Sequence, residues 1–210
     1  MKYAILGGSG FIGSALTRYW LKQRHEVIIV TRRNPQQQVP RRESTPRHLS
    51  YYSWNNIDQD PLLLRGLDGI VNLAGATISQ RWTRRAKQQI MDSRLHTTQA
   101  LGRWINILGN EAPKVIVQGS AVGRYGTSLT EEFTEHSPGS AADFLANVTT
   151  SWEETALKSI PHSASDPHTN LEITDSTGPR LVLLRTGVVL GNRGGAYPMM
   201  RLPFLLGAGG

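Results

Sequence analysis

Seven residues near the start, Gly7-Gly8-Ser9-Gly10-Phe11-Ile12-Gly13, constrain this chain more than any other feature. The apolar stretch Lys2–Leu6 precedes them. After them Phe11, Ile12, Ala15, Leu16, Tyr19 and Trp20 recur at helical spacing, and Glu26–Thr31 reads as a second apolar strand. Strand, helix and strand in that span form a βαβ unit, which requires a parallel sheet. Glycines at 7, 10 and 13 then have separate tasks. The first permits a tight turn, the second lets a pyrophosphate approach the backbone, and the third lets the helix pack close to the strands. A helix N-terminus also offers unpaired N–H groups and the positive end of a dipole. The expectation is a dinucleotide held by Gly7, Gly10, Phe11, Ile12 and Gly13.

The end of the second strand selects between dinucleotides. Enzymes that use NAD carry Asp or Glu there, about 20 residues beyond the glycines, to hold the ribose 2′-hydroxyl. Here the strand ends Val30-Thr31-Arg32-Arg33, with no acid and two arginines. Guanidinium groups suit bidentate phosphate contacts. NADP is therefore expected, with Thr31 and Arg32 at the adenosine 2′-phosphate and Arg33 nearby. A solvated basic loop is the other reading of the same arginines.

The rest of the chain continues the alternation. Leu49–Trp54, Leu67–Leu73, Lys114–Gln118 and Arg180–Arg185 read as strands. Residues 79–108 and 143–159 read as helices, with Asp143 as the N-cap of the second. Asn72-Leu73-Ala74-Gly75 forms a small-residue turn at a strand's carboxyl end, where a cofactor can lie against the backbone. Residues 32–50 and 160–178 are polar and unpatterned. Hydrophobic residues make up 39% of the chain and charged residues 19%, as in a globular protein rather than a disordered one. No apolar run is long enough to span a bilayer, and residues 1–6 lack a secretory-signal pattern. A cytoplasmic protein without a membrane role is expected. With no cysteine there are no disulfides or thiolate sites, and the six histidines lack metal-ligand spacing, so no metal is expected. The net charge of +7 permits an anionic partner. However, the basic cluster Arg81, Arg84, Arg85 and Lys87 lacks a nucleic-acid reader motif, and nucleic acid is not expected.

Several strings occur together in a characteristic order: GGSGFIG at 7–13, VNLAGATI at 71–78, RWT at 81–83, SRLHTTQAL at 93–101, SAVGRYG at 120–126, FLANVTTSWE at 144–153 and LRTGVVLG at 184–191. On these the chain resembles the extended short-chain dehydrogenase/reductases, and within them the NAD(P)-dependent epimerase/dehydratase-like branch called epimerase family proteins, some of which are described as cell-division inhibitors. The resemblance implies that Ser120, after the fifth strand, hydrogen-bonds a reacting carbonyl or hydroxyl. It implies that Leu73 and Ala74, with Gly75, flank the cofactor, that Gln89 and Arg94 contact it, and that Val189 passes the nicotinamide.

One departure stands out. Most short-chain dehydrogenases use Tyr-x-x-x-Lys, the tyrosine as general acid/base and the lysine lowering its pKa. Aligned on Trp152-Glu153, those positions hold Leu145 and Thr149, and the motif occurs nowhere in the chain. Tyr125 is the candidate substitute, although its place in SAVGRYG also fits a structural role. The fold expected is a doubly wound α/β Rossmann sheet over residues 1–191. Residues 192–210 are read as only the beginning of a substrate lobe, so the chain looks truncated. The function expected is an NADP-dependent oxidoreductase or epimerase-like enzyme acting on a small molecule. A non-catalytic NADP-binding regulator or sensor is the alternative, and a homodimer is left open.

Overall fold

The computed structural model describes residues 1–32, 47–140, 143–163, 178–191 and 194–208. Six strands form one parallel sheet: β1 (Lys2–Leu6), β2 (Glu26–Thr31), β3 (Leu49–Ser53), β4 (Gly69–Asn72), β5 (Val115–Ala121) and β6 (Arg180–Thr186). Their spatial order is β3-β2-β1-β4-β5-β6. The order reverses between β1 and β4, so a crevice opens outside their carboxyl ends, where doubly wound sheets bind ligands. This is the doubly wound Rossmann-type sheet expected from the sequence.

The strands are apolar on both faces because helices cover both sides. Ala4, Leu6, Ile28, Val30 and Ile70 point into one core with Leu101, Trp104, Ile105 and Leu108 of α3 (Arg84–Leu108). Ile5, Val27 and Ile29 point into the other, against Leu16, Trp20 and Leu21 of α1 (Phe11–Lys22). A third helix, α4 (Phe144–Ser159), lies beside α3. They cross closely at Gly102, where a Cβ would overlap the Ser159 backbone.

Several element boundaries differ from the sequence reading. The long helix starts at Arg84 rather than Ser79, because the Thr83 side chain accepts the Ala86 N–H (3.2 Å) and caps it there. The fourth strand narrows to Gly69–Asn72. The fifth runs on to Ala121 and the sixth to Thr186, because Ser120 pairs with Arg185 and Ala121 with Thr186 in the ladder. Ser120 therefore stands in the strand, not after it. A short helix α2 (Trp54–Gln59), opened by a capping box between Ser53 and Asn56, follows β3 and was absent from the sequence reading. Asp143 caps α4 as expected, accepting the Ala146 N–H at 2.9 Å.

Beyond the sheet, β7 (Leu190–Gly191) and β8 (Gly194–Gly195) pair as a hairpin, followed by α5 (Tyr197–Leu205). The hairpin lies on the Phe11 ring. A Cβ at Gly191 or Gly194 would come within 2.6 or 2.5 Å of it. No described helix is long and apolar enough to cross a membrane.

Candidate functional site

The glycine turn joins β1 to α1 at the carboxyl end of β1. Gly7 has φ +81°, and a Cβ there would approach the Leu73 carbonyl at 2.9 Å and the Ala74 nitrogen at 3.0 Å. A Cβ at Gly13 would lie 2.5 Å from the Gly7 oxygen. The turn and the Leu73–Ala74 segment thus meet across the β1/β4 crevice, with no room for a side chain between them. At the start of α1, Gly10 supplies no side-chain cap. The first-turn N–H groups are thereby left for a ligand, as the phosphate of a dinucleotide requires. Phe11 and Ile12 are both partly exposed beside them.

The other expected cofactor residues take varied positions. Thr31 is buried at the end of β2, and Arg32 follows it exposed to solvent. Arg33 lies outside the described residues. Gly75 is exposed and Ala74 buried. Gln89 is exposed on the first turns of α3. Arg94 turns inward instead: its Nη1 donates to the carbonyls of Ala76 (3.1 Å) and Ile90 (2.9 Å), and its guanidinium lies 5.1 Å over the Trp152 ring. Burial holds its pKa below the ordinary arginine value. It clamps the 74–76 turn onto α3. Val189 is partly exposed, and its carbonyl accepts the Ala196 N–H.

Behind the crevice a buried polar group ties β4 to β5. The Asn72 amide donates to Gln118 Oε1 (3.0 Å), and Asn72 Oδ1 accepts the Ala74 N–H (3.2 Å). Both side chains are fully buried. Their bonds fix the carboxyl end of β4, and with it the small-residue turn.

Ser120 is drawn into a network the sequence did not reveal. Its hydroxyl donates to Glu153 Oε1 at 2.5 Å. Glu153 stands on the buried face of α4 with Thr149, Trp152 and Ala156. Arg185 grips the same carboxylate with a fork, Nε to Oε1 at 2.8 Å and Nη2 to Oε2 at 2.9 Å. Its Nη1 donates to the Tyr125 hydroxyl and the Glu135 carbonyl, both at 2.7 Å. Tyr125 is stacked on Phe133, with ring centroids 5.5 Å apart. Arg124 Nε stands 3.2 Å from Glu153 Oε2. Burial pushes the Glu153 carboxyl upward, but hydrogen bonds from Arg185 and Ser120 and the two arginine charges outweigh it, and its pKa falls below the ordinary value. The bonds to Glu153 raise that of Arg185.

Glu153 and Arg185 escaped the sequence reading because a charged residue in a helical or strand pattern reads as surface. The signal was present: Glu153 falls in the stripe 149, 152, 153, 156, which is otherwise uncharged. The expected dyad positions carry no acid/base chemistry. Leu145 is aliphatic, and the Thr149 hydroxyl donates back to the carbonyls of Leu145 and Ala146.

Comparisons with known proteins agree with this geometry. Residues 3–143 match the model of the NAD dependent epimerase/dehydratase family. Epimerase family protein YfhF of Bacillus subtilis (strain 168) is 36% identical over 211 residues, covering 100% of this chain and 62% of the relative. Human epimerase family protein SDR39U1 (isoform 2), solved with NADPH, superposes with a TM-score of 0.78 at 36% identity, covering 100% of this chain and 61% of that one. The Bordetella bronchiseptica enzyme WbmH, solved with NAD+, shares the fold at a TM-score of 0.67 and 16% identity, over 98% of this chain and 62% of its own. The chain thus spans about three-fifths of the length of these relatives.

Proposed function

This chain belongs to the NAD dependent epimerase/dehydratase family, and we propose that it is an NADP-dependent oxidoreductase or epimerase-like enzyme acting on a small molecule. The observation that carries the reading is the uncapped start of α1 beside a turn that only glycine fits, at the β1/β4 switch. Arg32, in place of an acid after β2, supports NADP over NAD, as does the NADPH held by the human relative. When bound, the cofactor supplies hydride transfer at its nicotinamide. Gly7, Gly10, Phe11, Ile12 and Gly13 hold its pyrophosphate, Thr31 and Arg32 its 2′-phosphate, with Arg33 adjoining. Leu73, Ala74 and Gly75 form the opposite wall. Arg94 holds that wall in place, Gln89 contacts the cofactor from α3, and Val189 borders the nicotinamide.

Ser120 positions the substrate oxygen. With its O–H donated in a hydrogen bond to Glu153, its lone pairs are left to accept, so it orients a substrate hydroxyl better than a carbonyl. Tyr125 adds a phenol whose oxygen is engaged by Arg185 and whose proton remains free to donate. Titrating NADPH and NADH against the protein, followed by tryptophan quenching, tests the cofactor reading. Tight NADPH and weak NADH binding is expected, and binding of neither overturns it. The missing Tyr-x-x-x-Lys favours a second reading, an NADP-binding regulator without turnover. It predicts no cofactor oxidation or reduction across a panel of carbonyls, alcohols and sugar nucleotides.

A further inference from the structure

At the carboxyl ends of β5 and β6, one carboxylate meets two guanidinium groups. Glu153 is almost fully buried, Arg185 and Arg124 are about four-fifths buried, and the three together carry one positive charge in excess. The two arginines are satisfied unequally. All three Arg185 nitrogens donate hydrogen bonds: two to Glu153, and the third to Tyr125 and to the Glu135 carbonyl. Arg124 Nε lies within ion-pair distance of Glu153 Oε2 but outside hydrogen-bond alignment. Both it and Nη1 are buried with no hydrogen-bond acceptor among the described residues. A buried, unsatisfied donor is destabilising, more so when charged, and is uncommon in a native interior.

The described residues packed around Arg124 do not supply the missing acceptor. Gly139 lies against the guanidinium, where a Cβ would come within 3.0 Å of Cζ, and offers it no side-chain acceptor. About a fifth of the side chain remains open to solvent. The residue also sits next to Tyr125 and shares Glu153 with Ser120, on the side of the crevice given to substrate above. We infer that Arg124 is the counter-ion of a bound anion, and that the site takes a molecule bearing a carboxylate or phosphate group. Arg185 holds Glu153, and through it Ser120. Arg124 is left to meet the ligand's charge. The inference rests on the reading of this crevice as a ligand site.

The test uses the full chain, with and without saturating NADPH. Thermal unfolding and titration calorimetry are run against sodium phosphate and sodium acetate, with chloride matching ionic strength. Saturable stabilisation by phosphate, acetate or both is expected, weakened about tenfold or more in Arg124→Gln as a charge-assisted pair is lost. Without anion, Arg124→Gln should unfold no earlier than the native chain, since Arg185 still pairs with Glu153. Arg124→Lys, which keeps the charge, should retain a partial response and stands in should the glutamine variant fail to fold. No response beyond chloride, or an equal response in native and glutamine proteins, overturns the inference. An anion response that disappears once NADPH is bound assigns the site to the cofactor's own phosphate and overturns the inference, and one that persists supports it. NADPH titration of the same samples reports separately on the cofactor reading.

Discussion

A single side chain sets the cofactor preference proposed for this chain. Arg32→Glu places a carboxylate where the 2′-phosphate would lie. It should cost NADPH about 2 kcal/mol, roughly 30-fold in affinity, with NADH unchanged or improved, as measured by parallel fluorescence titrations. An unchanged NADPH/NADH ratio would move the 2′-phosphate elsewhere. Ser120→Ala should leave NADPH affinity nearly unchanged and lower turnover on any substrate found. Arg185→Gln should lower stability by about 3 kcal/mol in denaturant unfolding, because it leaves a buried carboxylate without its fork. The place of Arg32, exposed just after β2, was legible in the sequence, since the strand's apolar run ends at Thr31. The partnership of Glu153 with Ser120 and Arg185 was not. It joins residues 32 and 33 positions apart, and only the pairing of β5 with β6 and the seating of α4 bring them together.

At the scale of elements, spacing and turn chemistry were readable wherever a pattern ran for several residues. The βαβ unit of residues 2–31 is the clearest case, because continuous apolar runs, glycines and a helical stripe all agree. The short α2 went unseen because six residues carry too little periodicity. The ends of β5 and β6 were misjudged because a parallel ladder can run on past the last apolar residue. Close approach gives each element its own test. Gly13→Ala drives a methyl group into the Gly7 carbonyl and must push α1 off the turn. NADPH binding should weaken at least about tenfold, a shift that 1.4 kcal/mol would produce. Asp143→Ala removes the only side-chain cap described for α4 and should cost about 1 kcal/mol in thermal or denaturant unfolding.

For the molecule as a whole, the buried Glu153 couples stability to acidity. Its pKa is lowered on folding, so its stabilisation is fully present above the unfolded value, about 4.5. It is lost as pH falls through the lower folded value. Melting temperature should therefore fall below about pH 4.5, and Glu153→Gln, if it folds, should flatten that part of the curve while lowering the plateau. The overall architecture was legible because strands alternating with helices permit few arrangements, and the glycine turn marks which strand is central. That centrality bears on how the chain is made. Tyr3 pairs with Val27 on one side and Gly69 on the other. During synthesis the innermost strand therefore waits, one edge unprotected, until more than forty further residues have followed its first neighbour. A nascent chain that pauses in that interval exposes Ala4, Ile5 and Leu6 to any passing strand, and codon choice or chaperone capture between β2 and β4 becomes a determinant of yield.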